Sequence, residues 1–398
     1  MRRLHHRSNA ELLSGELATL LTGRYIETEV LPFSYAEYIE FLSMNPQRPG
    51  GHDIGGDPKF LKLRKKESFR NLVKGDALSP GMVMGERLFD FLYNGGIPLA
   101  VAFGDSEQEL SRDFLDALLD SIVEKDIFKR HEVYSKASFN KLIDFLMDSI
   151  GPPVSPNSIA NVFRSENTPI DNKTVSQYLG YLTESYLFYE VPRYDLKGKG
   201  LLRTLDKYYL SDTGFRKVRL SKDRDADAGC MLENAVYLEL RRRCKDVYVG
   251  KWDEYEVDFV AVGRDMGITY YQVAFSTTDP KTLERELRPL RAIRDSNPKF
   301  LLTTDVDFDP VYDGIRKLNV VDWLHQGSPK RASAQVNDTE ASVLSYVGEN
   351  PQARVSDIAE GIGASRSSVE RAISRLKAIG LLSRTGNNRV GMWVVERD

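Results

Sequence analysis

Residues 231–276 read MLENAVYLELRRRCKDVYVGKWDEYEVDFVAVGRDMGITYYQVAFS, and this stretch decides the fold. MLENAVYLELRRRC has helical character. DVYVGKW, YEVDFVAV and ITYYQVAFS follow as strands rich in β-branched and aromatic residues. LERELRPLRAIRD, residues 283–295, reads as a further helix, and KFLLTT, residues 299–304, as a last strand. Helix and strand alternate, which defines an α/β unit over residues 227–324.

Upstream the rhythm changes. FNKLIDFLMDSI (139–150) is a helix, stopped by Gly151-Pro152-Pro153. A short helix, SPNSIANVF (155–163), precedes a longer one, DNKTVSQYLGYLTES (171–185). A strand, LFYEVPRYD (187–195), and a Gly-Lys-Gly turn close the series. The order resembles a winged helix. Nearer the N-terminus, Ser8 to Thr22 reads as a helix, Tyr25 to Leu31 as a strand ended by Pro32, and Ser34 to Phe41 as a second helix. Ser43 to Pro58 is a Gly- and Pro-rich loop. Helical patterns return over Glu86 to Tyr93 and Glu107 to Phe128, on either side of Gly95-Gly96-Ile97-Pro98.

Composition narrows the class. The 398 residues are 41% hydrophobic and 28% charged, as in a soluble globular protein of several domains. Mean hydropathy is -0.39, and no apolar run approaches the ~20 residues of a membrane span. Cys230 and Cys244 alone support neither a disulfide framework nor a zinc site built on Cys pairs. A cytoplasmic location is expected, with no membrane partner. His5 and His6 are adjacent in a charged segment and read as solvated side chains rather than a metal site. A net charge of -3 excludes a globally basic nucleic-acid binder but not a local basic face.

Such a face lies at the C-terminal end. After a polar segment, HQGSPKRASAQVN (325–337), three helices are expected: DTEASVLSYVGEN, VSDIAEGI with Ser356 as N-cap, and Ser365 to Ile379. The last has Val369, Ile373, Leu376 and Ile379 on its inner side. LLSRTGNNRVGMWVV then reads as a two-stranded wing turning at Gly386-Asn387-Asn388. This segment resembles the winged-helix family of bacterial DNA-binding domains, in which the third helix enters the major groove and the wing follows the backbone. Between Ser365 and Arg389 the basic residues are Arg366, Arg371, Arg375, Lys377, Arg384 and Arg389, against Glu370 alone. These cations, with Ser365 and Ser367 as further donors, are the candidate DNA-binding residues, and duplex DNA is the expected partner. The earlier winged-helix pattern repeats the arrangement but not the identities.

Glu233 on its helix, Glu256 and Asp258 two apart on one strand, and Gln272 on the next form a second constellation. It resembles the PD-(D/E)XK nuclease core, where acids gather a divalent metal that activates water. On that resemblance Glu233, Asp258 and Gln272 fall at metal positions, with Ala274 at the lysine position. Neutral Gln272 and Ala274 remove the charges that cleavage needs, so a degenerate site is expected. Its carboxylates are then free for salt links, for instance to Arg241–Arg243.

The stretch SNAELLSGELATLLTGRYIETEVLPFSYAEYIEF is specific in its order. With GGIP, KDIFKR, NSIANVF, LENAVYLELRRR and EVDFV, it resembles a prokaryotic AAA+ ATPase family that carries a nuclease-like C-terminal domain of unknown function. The resemblance covers nearly all of residues 8–324. It implies a sensor role for Asn9 and an arginine-finger role for Arg24. A phosphate loop of the form G-x-x-x-x-G-K-[ST] does not occur in the chain; GDALSPGMVMG (75–85) lacks the Lys-Ser or Lys-Thr. ATP and magnesium are therefore expected as ligands only if a preceding segment supplies that loop, with a truncated reading frame or an alternative start as the expectation. Self-association or pairing with ATPase subunits follows from the same resemblance.

The expected architecture is a multidomain α plus α/β chain. Residues 1–130 are a partial AAA+ C-terminal core and helical lid, 131–226 a winged-helix-like segment, and 227–324 a restriction-endonuclease-like α/β domain. Residues 325–337 are a linker and 338–398 a C-terminal winged helix. The expected function is that of an ATPase-related DNA-binding or regulatory protein, with an ATP-binding ATPase or a metal-dependent nuclease as alternatives.

Overall fold

The computed structural model describes residues 29–44, 80–103, 107–202, 205–220, 227–306, 310–326, 338–378, 382–385 and 392–395. The expectations for His5, His6, Asn9, Arg24 and the helix over Ser8 to Thr22 lie outside these residues. The chain divides into two compact units, Met1–Gly327 and Ser328–Asp398.

In the larger unit, α1 (Tyr35–Met44) starts from a capping box. Ser34 N–H donates to Glu37 Oε2 at 2.7 Å, and Glu37 N–H donates to Ser34 Oγ at 3.2 Å. Helices α2 (Pro80–Asn94), α3 (Pro98–Phe103) and α4 (Gln108–Ser121) follow. The helix expected to reach Phe128 changes at Ile122 into a π-helical stretch, Ile122–Phe128. Helices α5 (Lys136–Asp148), α6 (Pro156–Ser165) and α7 (Asn172–Glu184) are capped by Ser135, Ser155 and Asp171, whose side chains accept N–H bonds three residues on.

Strands β1 (Phe188–Val191), β2 (Arg193–Asp195), β3 (Gly200–Leu201) and β4 (Lys207–Leu210) come next. β1 and β4 pair antiparallel, and Val154 bridges Asp206 at the edge. The strand expected over 187–195 is thus two strands. Pro192 has no N–H to extend the β1 ladder, and β2 enters a different sheet.

α8 (Gly214–Arg219) and α9 (Ala228–Arg243) lead into β5 (Asp246–Trp252), β6 (Tyr255–Val262) and β7 (Ile268–Val273). Then come α10 (Pro280–Ala292), β8 (Lys299–Thr303), β9 (Val311–Tyr312), β10 (Ile315–Asn319) and α11 (Val320–His325). The eight-stranded sheet has the order β3-β2-β5-β6-β7-β8-β10-β9. Its β2/β5, β7/β8 and β8/β10 pairs are parallel and the rest antiparallel. Leu232, Val236 and Leu240 of α9 belong to the core on one face, with Phe259 and Leu302. Leu287 and Leu290 of α10 cover the other, with Val257, Val260 and Leu301. Burial on both faces explains why β6 carries apolar residues on both sides from Val257 onward, at Val257, Phe259, Val260 and Ala261. The sheet also takes β2 and β3 from residues 193–201, upstream of residue 227.

The smaller unit contains α12 (Asp338–Glu349), α13 (Val355–Gly361), α14 (Arg366–Ala378), β11 (Leu382–Thr385) and β12 (Met392–Val395). β11 and β12 pair antiparallel as the wing. Val343, Val347, Ile358, Val369, Ile373, Leu376, Leu382 and Trp393 form its core. Trp393 fastens the wing to the α12–α13 turn: its N–H donates to Pro351 O at 2.7 Å and its Nε1 to Ala353 O at 2.8 Å. Ser356 is not the N-cap of α13. Arg354 holds that position, and Asp357 reaches back to accept its N–H at 3.0 Å.

Candidate functional site

The first candidate is the outer face of α14. Ser365 Oγ accepts the Ser368 N–H at 3.2 Å, which starts the helix. Gly363, at φ +65°, makes the turn before it, a conformation that glycine adopts without a steric penalty. Gly361 is needed for packing: a Cβ there would stand 2.0 Å from the Tyr346 ring. With Val369, Ile373 and Leu376 inward, Arg366, Ser367, Glu370 and Arg371 are left exposed.

Arg366 Nε donates to Glu370 Oε1 at 3.0 Å one turn away. Arg371 lies back along the helix, with Nε to Ser367 O at 3.3 Å and Nη2 to Ser368 Oγ at 3.4 Å. These are surface contacts of low strength, so both guanidinium groups can turn outward at little cost. The backbone of Arg375 and Lys377 belongs to α14 and that of Arg384 to β11. Their side chains, and Arg389, lie outside the described residues.

The second candidate is the carboxylate set of the large sheet. Tyr248 pairs with Val260 and Gly250 with Val257, so Asp258 and Phe259 together oppose Val249. This bulge shifts the alternation of β6 after Asp258, so that Phe259 and Ala261 belong to the core under α9 while Val257 and Val260 belong to the one under α10. Glu256 and Asp258 still reach one point, and that point is occupied by the Lys207 ammonium. Lys207 Nζ lies 3.1 Å from Glu233 Oε1, 3.0 Å from Glu256 Oε1 and 3.5 Å from Asp258 Oδ1. Its side chain is 3% exposed. Burial works to lower its pKa, but the charges of Glu233, Asp258 and Glu256 outweigh that and hold it above the ordinary lysine range. Asp258 is pushed up to about 7 by burial and by Glu233, against the opposing pull of Lys207 and the Val273 N–H.

The three expected metal positions separate. Glu233 and Asp258 converge on Lys207. Gln272 instead donates from Nε2 to Glu286 Oε2 of α10 at 3.0 Å, and its Oε1 accepts the Asp258 N–H at 3.4 Å. Ala274 packs with the core under α10. Arg241–Arg243 do not serve as the counter-charge: Arg241 binds Glu29, and Arg242 and Arg243 bind Glu239. Among the described residues, no group of three or more His, Cys, Asp or Glu is arranged to hold a metal.

Lys207, Tyr209 and Asn234 were not singled out from the sequence. Tyr209 donates its hydroxyl to Glu233 Oε1 at 2.6 Å, and Asn234 takes both main-chain groups of Leu210. The available signal is a lysine at the head of an apolar strand, KYYL, which marks a charge at a buried position without naming its partners.

The fold and these sites define a mixed α/β protein with a winged-helix domain at its C-terminal end. Residues 334–391 match the MarR family, and residues 85–226 match a domain of unknown function, DUF8612. An uncharacterized protein of Haemophilus influenzae is 36% identical over 324 residues, which cover 80% of this chain and 70% of that protein. An uncharacterized protein of Methanocaldococcus jannaschii is 27% identical over 326 residues, 80% of this chain and 65% of that one. The chain belongs to the family of the Haemophilus influenzae protein. No solved structure matches it. Among the described residues no helix is long and apolar enough to cross a membrane.

Proposed function

We propose that the protein is a DNA-binding regulator that reads duplex DNA through α14 and the β11–β12 wing. The observation that carries this reading is a MarR-family winged helix whose third helix leaves Arg366, Ser367 and Arg371 on its outer side. Ser365, Arg375, Lys377, Arg384 and Arg389 complete the proposed contact set. In this reading Arg366 and Arg371 touch base edges or phosphates, and Arg384 and Arg389 touch phosphates.

Selection from random duplexes followed by fluorescence anisotropy of the full chain tests it. Replacing Arg366 or Arg371 with Ala is expected to cost about 1–3 kcal/mol on the selected site. Replacing Arg384 or Arg389 is expected to weaken binding to all sequences and to reduce the log–log salt slope by about one. No binding at ~50 mM salt, where phosphate contacts are strongest, or no change in the Arg366→Ala, Arg371→Ala double variant, assigns the surface to a protein partner instead.

For the larger unit we retain the AAA+-related reading, which rests on the motif order across residues 8–324. The alternation of helix and strand across 227–324 supports a restriction-endonuclease-like α/β part. A working nuclease is the weaker reading, because Lys207 neutralises Glu233 and Asp258 while Gln272 is engaged with Glu286.

A further inference from the structure

We propose that Lys207 is a resident cation: its ammonium fills the point where Glu233, Glu256 and Asp258 would otherwise gather a divalent metal, and it pins β4 to the large sheet. The inference stands whether or not the C-terminal unit binds DNA.

Three carboxylate oxygens from two elements, α9 and β6, lie 3.0–3.5 Å from Nζ. An ammonium has three N–H donors and no acceptor, so three carboxylate oxygens satisfy it completely. A hard divalent cation asks for the same donors, at about 2.0–2.6 Å, so it would need the oxygens to close in by roughly an ångström. The two cations are therefore exclusive occupants of one point. Nothing in the surroundings invites Lys207 to leave. Its side chain is buried, and Tyr209 holds Glu233 in place from the same strand. The Gly151-Pro152-Pro153 turn closes over the other Glu233 oxygen, where a Cβ on Gly151 would stand 2.9 Å from Oε2. Arg193 Nη2 adds a second positive charge 3.6 Å from Glu256 Oε2.

The position of Lys207 in the chain gives the arrangement its second role. β4 pairs with β1 in the small ribbon, while Glu256 and Asp258 belong to the eight-stranded sheet. A free metal would join only the acids. A lysine on β4 joins the acids to the ribbon that follows the helices α5 to α7.

The test uses the full chain stripped with EDTA and titrated with manganese by calorimetry. Lys207→Met keeps the apolar stem and removes the charge. The wild-type chain is expected to take up no manganese that Asp258→Asn abolishes, and its melting temperature should be the same with EDTA or manganese. Lys207→Met should melt lower without metal, bind about one manganese ion per chain, regain stability with it, and lose that binding when Asp258→Asn is added. Asp258-dependent manganese binding by the wild type overturns the proposal, and so does a folded Lys207→Met chain with no such binding. If Lys207→Met does not fold without metal, it is refolded with manganese present. Recovery supports the proposal, and failure to recover overturns it.

Discussion

Asp212 ties Gly96 to its own turn through one long-range and one local hydrogen bond. Its Oδ2 accepts the Gly96 N–H at 2.7 Å and its Oδ1 the Gly214 N–H at 2.8 Å. Gly95 of GGIP is explained by this approach and Gly96 by that of Phe33. A Cβ on Gly95, at φ +79°, would stand 1.8 Å from Asp212 Oδ1, and one on Gly96 would stand 2.5 Å from Phe33 O. Burial raises the Asp212 pKa to about 6, against the downward pull of the Gly96 and Gly214 N–H groups. The folded value is above the unfolded one of about 3.9, so the folded chain holds the proton longer. The stability it supplies is full below about pH 4 and is lost as pH rises through about 6. Asp212→Asn is neutral throughout. The stability of the wild type relative to this variant is therefore expected to fall by up to roughly 3 kcal/mol between about pH 4 and pH 7. Urea unfolding at the two pH values checks this, and a difference that does not change with pH contradicts it.

At the scale of the element, α14 shows what periodicity carries. The spacing places Val369, Ile373, Leu376 and Ile379 inward; the first three are buried in the small core, and Ile379 lies outside the described residues. Ser365→Ala is expected to remove about 1 kcal/mol from the stability of the C-terminal unit, by loss of the N-cap. Thermal unfolding of the full chain, followed for that unit, measures it. Glu370 is the acid among the exposed cations and holds Arg366 in an exposed pair. Glu370→Gln is expected to tighten DNA binding by about 1 kcal/mol or less, since it frees Arg366 and removes repulsion from phosphate. Anisotropy on the selected duplex reads this, and weaker binding would mean that Glu370 itself contacts a base. Start signals are less legible than inward faces. Ser356 is a good cap by residue type, yet Arg354 holds the N-cap of α13 and Asp357, three residues on, accepts its N–H.

On the scale of the whole molecule, the division at Gly327 and Ser328 separates two cores with different contents. Residues 325–337 are polar, and Lys330 and Arg331 offer trypsin sites. Brief trypsin treatment is expected to cut there first, and the fragment from about Asp338 should unfold cooperatively by itself. A first cut elsewhere, seen by mass spectrometry, or a fragment without a transition, counts against two independent units.

Sequence alone determined the strands β5 and β6 to the residue, the winged order of the last segment, and the pairing of Glu256 with Asp258 on one side. Each depends on local periodicity or on neighbours along the chain, which a side-chain pattern records directly. The tertiary structure alone decided that β2 and β3 join the large sheet, that Gln272 turns to Glu286, and that Lys207 meets Glu233, Glu256 and Asp258. Those outcomes depend on which strand edges and buried charges meet after folding. A lysine in KYYL carries no mark of the acids 26 and 51 residues further along that will surround it. Its position is fixed by the cost of leaving any of these charges buried without a partner.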